Sequence, residues 1–314
     1  MSTFKNIRGQ LIKSVSSDPS PVTAGDMWYN STSQTLKGVE SVGAWSSGGD
    51  LGTARQALAA VGTQTVALAF GGRLPGNSPT GVTEEYNGSS WSPSNALNTA
   101  RFALAGAGTQ TTGLAFGGTP STSDSEEYNG SSWTEGNNLN TARGSLAGAG
   151  SQTAALAFGG GNGTESYDGT SWTALATMNT SRVGIAGCGT TAAALGFGGE
   201  GPAPSYTLYN VSEEWNGSSW TEGNNLNTAR QQAGGSGIQT AALAFGGQSP
   251  ARALTEEYNG TSWTEVADMA TARYSVGGTG TTSASLASGG NTPSVTAKTE
   301  EFSLVPATKT FTTS

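Results

Sequence analysis

The sequence predicts an all-β protein, a ring of six four-stranded antiparallel sheets, and three periodic markers carry that prediction. Tryptophan recurs at Trp45, Trp91, Trp133, Trp172, Trp220 and Trp263. Ten residues after each comes an arginine: Arg55, Arg101, Arg143, Arg182, Arg230 and Arg273. A Gly-Gly pair opens at Gly71, Gly117, Gly159, Gly198, Gly246 and Gly289. All three series are spaced 46, 42, 39, 48 and 43, so length changes fall at one place in every unit.

Each unit resolves into four strand-sized pieces, clearest between Phe102 and Asn137. FALAGAGT is built from small residues, as a strand crowded around an axis requires. TGLAFGGT alternates Leu114 and Phe116 with Gly113 and Ala115, the period of a strand. SEEYNG leads through Asn129-Gly130, expected as a type I′ hairpin turn, into SSWTEGN. Side chains grow outward, from Ala and Gly through Phe and Tyr to Trp, as a wedge-shaped blade demands. Four-stranded meanders repeated around an axis make a six-bladed β-propeller, a way of protecting sheet edges by radial packing. The first tryptophan strand, at Trp45, precedes the first inner strand, while the last unit stops at its third strand, TEEFSL. The N-terminal strand is therefore expected to complete the last sheet and close the ring.

The expected organisation is an arm and hairpin over residues 1–35, a propeller over 36–304 and a tail over 305–314. The arm ends in SSDPSPVTAG, a turn-rich linker, and GDMWYNSTSQTLKGVESVGAW reads as a hairpin or short meander. The first fifteen residues hold no apolar run of signal length, so folding in a cytoplasm is expected, and no stretch reaches membrane-span length.

Composition narrows the function. The net charge is −8, only 11% of residues are charged, and six of the nine arginines belong to the repeat. Nucleic acid is thus an unexpected partner. Histidine is absent, which removes His-dependent nucleophilic catalysis and most zinc sites, and no cofactor or metal is expected. Cys188 stands where Ala107 and Ala149 stand in sister units and reads as a small buried filler. The Glu pairs at 84–85, 126–127, 213–214, 256–257 and 300–301 recur too regularly for a hydrolase site. Adjacent strand residues face opposite ways, so one Glu of each pair is expected to meet a repeat arginine. The repeat tryptophans and arginines are accordingly structural anchors. Asn87, Asn129, Asn216 and Asn259 begin glycosylation sequons whose letters the hairpin turn already explains.

Four mostly apolar residues before Gly-Gly, an aromatic in the next strand, then Trp and Arg ten residues apart resemble the kelch repeat, with WTALATMNTSR at Trp172–Arg182 close to its consensus. The resemblance spans all six units. It implies a propeller and leaves function open, since kelch propellers serve as enzymes, adaptors and structural parts. The copper site of the galactose oxidase relatives needs histidines that this chain lacks, and SYDGTSW at 166–172 is one residue short of a sialidase Asp box. No enzymatic activity is expected.

Between Gly-Gly and the Glu pair, or the single Glu165 of the third unit, the connecting stretches run 11, 7, 4, 13, 8 and 9 residues. They should emerge on one face, and loops on a rigid scaffold are where binding residues gather. Arg73, Tyr206, Tyr209 and Arg252 are the aromatic and charged residues there that the repeat does not need, and they are the candidate binding residues. GDMWYNSTSQTLKGVESVGAW is similar to segments of tail-fibre and other virion proteins of tailed bacteriophages. That resemblance implies a virion protein, a homo-oligomer docked to other virion subunits through its arm, with the propeller turned to a host glycan or receptor. A purely structural propeller and a cellular kelch-type interaction module or lectin are the other readings.

Overall fold

The computed structural model describes residues 12–248 and 250–311. The chain divides into two compact units, one formed by Trp45–Phe302 and one by the residues up to Ala44 together with those from Ser303 onward.

The larger unit is a six-bladed β-propeller. Blade 1 runs through Ala59–Gly62, Ala67–Phe70, Thr83–Tyr86 and Trp91–Ser94, each strand antiparallel to the next. Blades 2 to 5 repeat this order and end at Trp133–Glu135, Trp172–Ala174, Trp220–Glu222 and Trp263–Val266. Blade 6 takes Gly277–Gly280, Ala284–Ser288 and the start of Thr299–Phe311, and its fourth strand is the end of Thr35–Ser47. The expected closure by an N-terminal strand is therefore present: Trp45 packs edge-to-face with Phe302 and Phe245, ring centroids 5.3 and 5.1 Å apart.

One expectation fails at the hairpin turns. Asn129 does not adopt the positive φ that a type I′ turn needs; only Gly130 does, at 92°. Tyr128 pairs with Trp133, leaving a four-residue loop in which Asn129 Oδ1 accepts from the Ser131 and Ser132 amides at 3.0 and 2.9 Å. The asparagine side chain closes the turn, a role Asp168 fills in blade 3.

Each repeat arginine is buried and pairs with the first Glu of the blade it leads into, from Arg55–Glu84 at 3.2 Å to Arg273–Glu300 at 3.2 Å. Burial pushes the Arg55 guanidinium down to about 10, while the neighbouring Glu84 opposes the shift. The same Glu caps the crossing segment: Glu126 accepts from the Asn98 and Thr99 amides at 2.6 and 3.3 Å. Breaking such a buried pair from one side costs about 3–5 kcal/mol.

Blades are joined by three kinds of side-chain staple. In all six interfaces a tryptophan Nε1 donates to a hydroxyl of the preceding blade at 2.9–3.0 Å, as in Trp133 to Thr83 and Trp45 to Thr255. In four, a tyrosine hydroxyl donates to the second Glu of the preceding blade: Tyr86 to Glu301, Tyr128 to Glu85, Tyr167 to Glu127 and Tyr258 to Glu214, at 2.5–2.6 Å. The same four carry a glutamine, Gln64, Gln110, Gln152 or Gln239, whose Nε2 donates to two backbone carbonyls of the neighbour. Between blades 3 and 4 the equivalents are Ser166, Trp215 and Thr191; between blades 5 and 6, Phe302 and Thr282 replace the tyrosine and glutamine. Cys188 is buried, and burial pushes its thiol up to about 12.

The smaller unit holds Lys13–Val15 parallel to Met27–Asn30, which is antiparallel to Thr35–Ser47. Asp18 ties it together, accepting from Trp28 Nε1 at 2.9 Å, Asn30 Nδ2 at 2.7 Å and Lys37 Nζ at 2.6 Å. These bonds hold its carboxyl down at about 2. Residues 305–311, expected as a tail, continue the strand Thr299–Phe311. The first 11 residues of the expected arm and the last three of the expected tail lie outside the described residues.

Candidate functional site: the mouth of the central channel

The inner strands surround an axial channel lined by backbone and small side chains, among them Gly106, Gly148, Gly187, Gly235 and Gly278. These glycines are required: a Cβ on Gly148 would lie 2.5 Å from the Gly106 carbonyl and 2.7 Å from the Phe116 ring. At one end the channel widens into a cavity of about 200 Å³.

Its rim is set by the residue two positions after each repeat arginine. Ala57, Ala103, Ser145, Gly184, Gln232 and Ser275 all take left-handed backbone, with φ between 51° and 62°. Five of the six are not glycine, so the conformation carries a steric cost that must be offset locally. The offset is a closed circuit of backbone hydrogen bonds. Ala103 N donates to Ala57 O, Ser145 to Ala103, Gly184 to Ser145, Gln232 to Gly184, Ser275 to Gln232 and Ala57 to Ser275, at 2.7–2.9 Å. Each blade thus fixes the rim residue of the next, and the circle is complete.

The side chains at the mouth differ from blade to blade. On one side the Arg73 guanidinium lies over the Phe102 ring, 5.0 Å from its centroid, in cation–π geometry. Arg73 has no carboxylate within ion-pair distance among the described residues, and its Nε is buried without a partner. On another side Ser275 Oγ donates to Gln232 Oε1 at 2.7 Å; outside the cavity lining, the adjacent Gln231 Nε2 donates to Glu200 Oε2 at 2.6 Å. Burial raises the Glu200 carboxyl above its ordinary range. Leu58, Leu104, Leu146, Ile185 and Val276 form the apolar floor. A cationic wall, an amide-and-hydroxyl wall and an apolar floor suit a small ligand with oxygen acceptors and an apolar edge. Among the described residues no group of three His, Cys, Asp or Glu side chains is placed to hold a metal ion.

Of the four candidate binding residues, Arg73 alone lines this cavity. Tyr206 is 62% exposed at φ 44° on the longest loop. Tyr209 is half-buried, and its backbone bonds to Gly199 and Arg230 tie it to the Gly-Gly pair before its loop and to the segment that leads into the next blade. Arg252 is half-buried, with its amide on the Gly247 carbonyl at 2.9 Å. The rim residues, Phe102 and the Gln231–Gln232 pair escaped sequence reading. Their signal was present: directly after the invariant arginine the repeat reads Gln, Phe, Gly, Val, Gln and Tyr.

In comparisons with known proteins, no protein-family model and no curated protein matches this chain.

Proposed function

We propose that this is a non-enzymatic bacteriophage virion protein, a tail fibre, tail appendage or capsid decoration, made in the host cytoplasm and assembled as a homo-oligomer. The terminal unit docks to other virion proteins, and the propeller presents its mouth and second-to-third-strand loops to a host surface or to neighbouring subunits. The observation that carries this reading is the distribution of variation. Phrases as long as EEYNGSSWTEGNNLNTAR repeat with one change in the walls, whereas the loops differ in every blade and the rim draws on four residue types, Ala, Ser, Gly and Gln. Both variable sets share one face, because short bridges join them: Gln56 to Arg73, Phe102 to Thr119, Val183 to Glu200 and Gln231 to Gln248. A scaffold that varies on one face is a display device.

The resemblance of the Trp28 segment to virion proteins supports the particle, and the kelch-like markers support a recognition propeller. Met27, Tyr29 and Phe311 in the terminal unit are each about 40% exposed, apolar surface suited to docking. Micrographs of native particles labelled with antibody to this chain test the reading. Label at a fixed position on tail or capsid is expected; absence of the chain from purified particles overturns it. A glycan array on the isolated protein then separates host attachment from contacts among subunits.

A further inference from the structure

Blade 3 differs from its sisters at the arginine. In the other five blades the guanidinium Nη1 is taken up by backbone carbonyls flanking the second-to-third-strand loop. Arg55 donates to Gly71 O at 3.1 Å and to Val82 O, Arg182 to Gly198 O at 2.9 Å and to Val211 O, and Arg273 to Gly289 O at 3.0 Å and to Lys298 O. Arg101 follows the same pattern, and Arg230 keeps one such bond, to Leu254 O at 3.4 Å. Arg143 has neither. Its Nη2 pairs with Glu165 at 3.2 Å and donates to Ala157 O at 3.4 Å, while Nη1 has no acceptor among the described residues.

The cause is loop length. Four residues follow Gly159-Gly160, the shortest such loop in the chain, and it runs Gly161-Asn162-Gly163-Thr164. Where the longer loops lie in sister blades, blade 3 has a cavity of about 370 Å³, lined by Arg143, Asn162, Thr141, Thr177 and Leu175 among others. The Arg143 side chain is only 5% exposed, so Nη1 meets solvent through this cavity or not at all. A Cβ at Gly163 would collide with Nη1; glycine there keeps the niche open.

We propose that this niche binds an acetamido group, the N-acetyl substituent of an amino sugar, whose carbonyl oxygen takes the place at Arg143 Nη1 that loop carbonyls hold in the sister blades. A neutral acceptor fits better than an anion, because Glu165 already balances the arginine and the chain carries a net charge of −8. The methyl group lies against Leu175, and the sugar hydroxyls reach Asn162 and Thr177. The site belongs to blade 3 alone and does not depend on the virion reading.

The test is a titration of ¹⁵N-labelled protein with N-acetylglucosamine, with glucose and acetate as parallel arms. Saturable shifts of the Gly161, Asn162 and Gly163 amides are expected with a dissociation constant of about 1–10 mM, without matching shifts from the other two. In a second protein the loop 161–164 is replaced by the seven residues 119–125 of blade 2, which returns carbonyls to Arg143. It should fold with an undiminished melting temperature and show no saturable shift at the Thr141, Leu175 and Thr177 amides, which line the niche in both proteins and shift with the loop amides in the native chain; Asn162→Ala should weaken binding several-fold in a folded chain. Absence of saturable shifts at about 50 mM sugar, equal response to glucose or acetate, or full binding by the loop replacement each overturns the assignment. None of these outcomes bears on whether the chain is found in particles.

Discussion

The interface between blades 1 and 2 and the interface between blades 3 and 4 are built from the same repeat but held differently. The first has a tryptophan, a tyrosine and a glutamine reaching across: Trp133 to Thr83, Tyr128 to Glu85 and Gln110 to two carbonyls. The second keeps only Trp220 to Thr164. There the donor and acceptor of the tyrosine–glutamate bond have changed together, Tyr to Trp215 and Glu to Ser166, and Thr191 stands in place of the glutamine. Trp215 instead fills the interface, fully buried, with Nε1 on the Thr191 carbonyl of its own blade at 2.9 Å. The blade 5–6 interface is the other seam of this kind. Between blades 3 and 4 the joint loss of both partners avoids a carboxylate or hydroxyl left without its mate, whereas between blades 5 and 6 only the tyrosine is lost and Glu257 remains. The ring is therefore uneven, with four interfaces that carry all three staples and two that keep only the indole bond of the three, the blade 5–6 seam adding a Ser285-to-Ser236 hydroxyl bond at 2.6 Å.

The largest test of this contrast removes closure itself. Deleting residues 1–48 takes Trp45 from the blade 5–6 seam and should lower the melting temperature by more than any point substitution. A melting curve unchanged from that of the full chain contradicts closure by the N-terminal strand. Next in size is Trp133→Ala at a stapled interface, which should cost about 3–5 kcal/mol in denaturant unfolding because it removes both an interblade filler and a bond. Smaller and opposite in sign is Phe302→Tyr at the seam between blades 5 and 6. Its new hydroxyl can meet Glu257 and should add about 1 kcal/mol, whereas Tyr128→Phe at a stapled interface should lose about 1–3 kcal/mol. Equal responses at the two places would mean that the staples carry no weight.

The weakest effect separates the interfaces by pH. Burial, and then the bond to glutamate, raises the hydroxyls of Tyr86 and Tyr128 to about 12, and those of Tyr167 and Tyr258 are raised likewise. A raised folded-state value contributes stability that is complete below the unfolded tyrosine value of about 10 and is lost as pH climbs towards 12. Stability should fall across that window, and by less in Tyr128→Phe. Trp215 and Phe302 do not titrate, so hydrogen exchange at the two seams should not accelerate selectively as pH rises from 10 to 12, once intrinsic rates are removed. In the terminal unit Asp18 acts in the other direction. Held at about 2 by Lys37, Asn30 and Trp28, it stabilises that unit above pH 4 and loses the contribution as pH falls through 2.

Blade number, strand order and closure were all legible in the sequence, because each follows from a marker recurring at fixed spacing. One partner of each glutamate pair was legible too, since alternation along a strand separates the two carboxylates. The second partner was not: Tyr128 and Glu85 lie 43 residues apart, and only the neighbouring blade brings them together. The Asn-Gly turns were misread because dipeptide preference says nothing of Asn129 Oδ1, which closes a longer loop itself. At the mouth, Arg73 was legible as a charge the repeat does not use. Phe102 beneath it, and the left-handed residues around it, were hidden because their roles arise from a circuit that exists only when six blades meet.

That circuit separates inheritance from novelty. Its six bonds use only main-chain atoms, so replacing Ala103 by serine or Gln232 by asparagine leaves every link in place while changing what the mouth offers. The limit is set by backbone shape: β-branched residues resist positive φ, and the six positions here hold only Ala, Ser, Gly and Gln. Within that alphabet the rim tolerates piecemeal change, and a lineage copying its blades can acquire a new partner one residue at a time without rebuilding the wall.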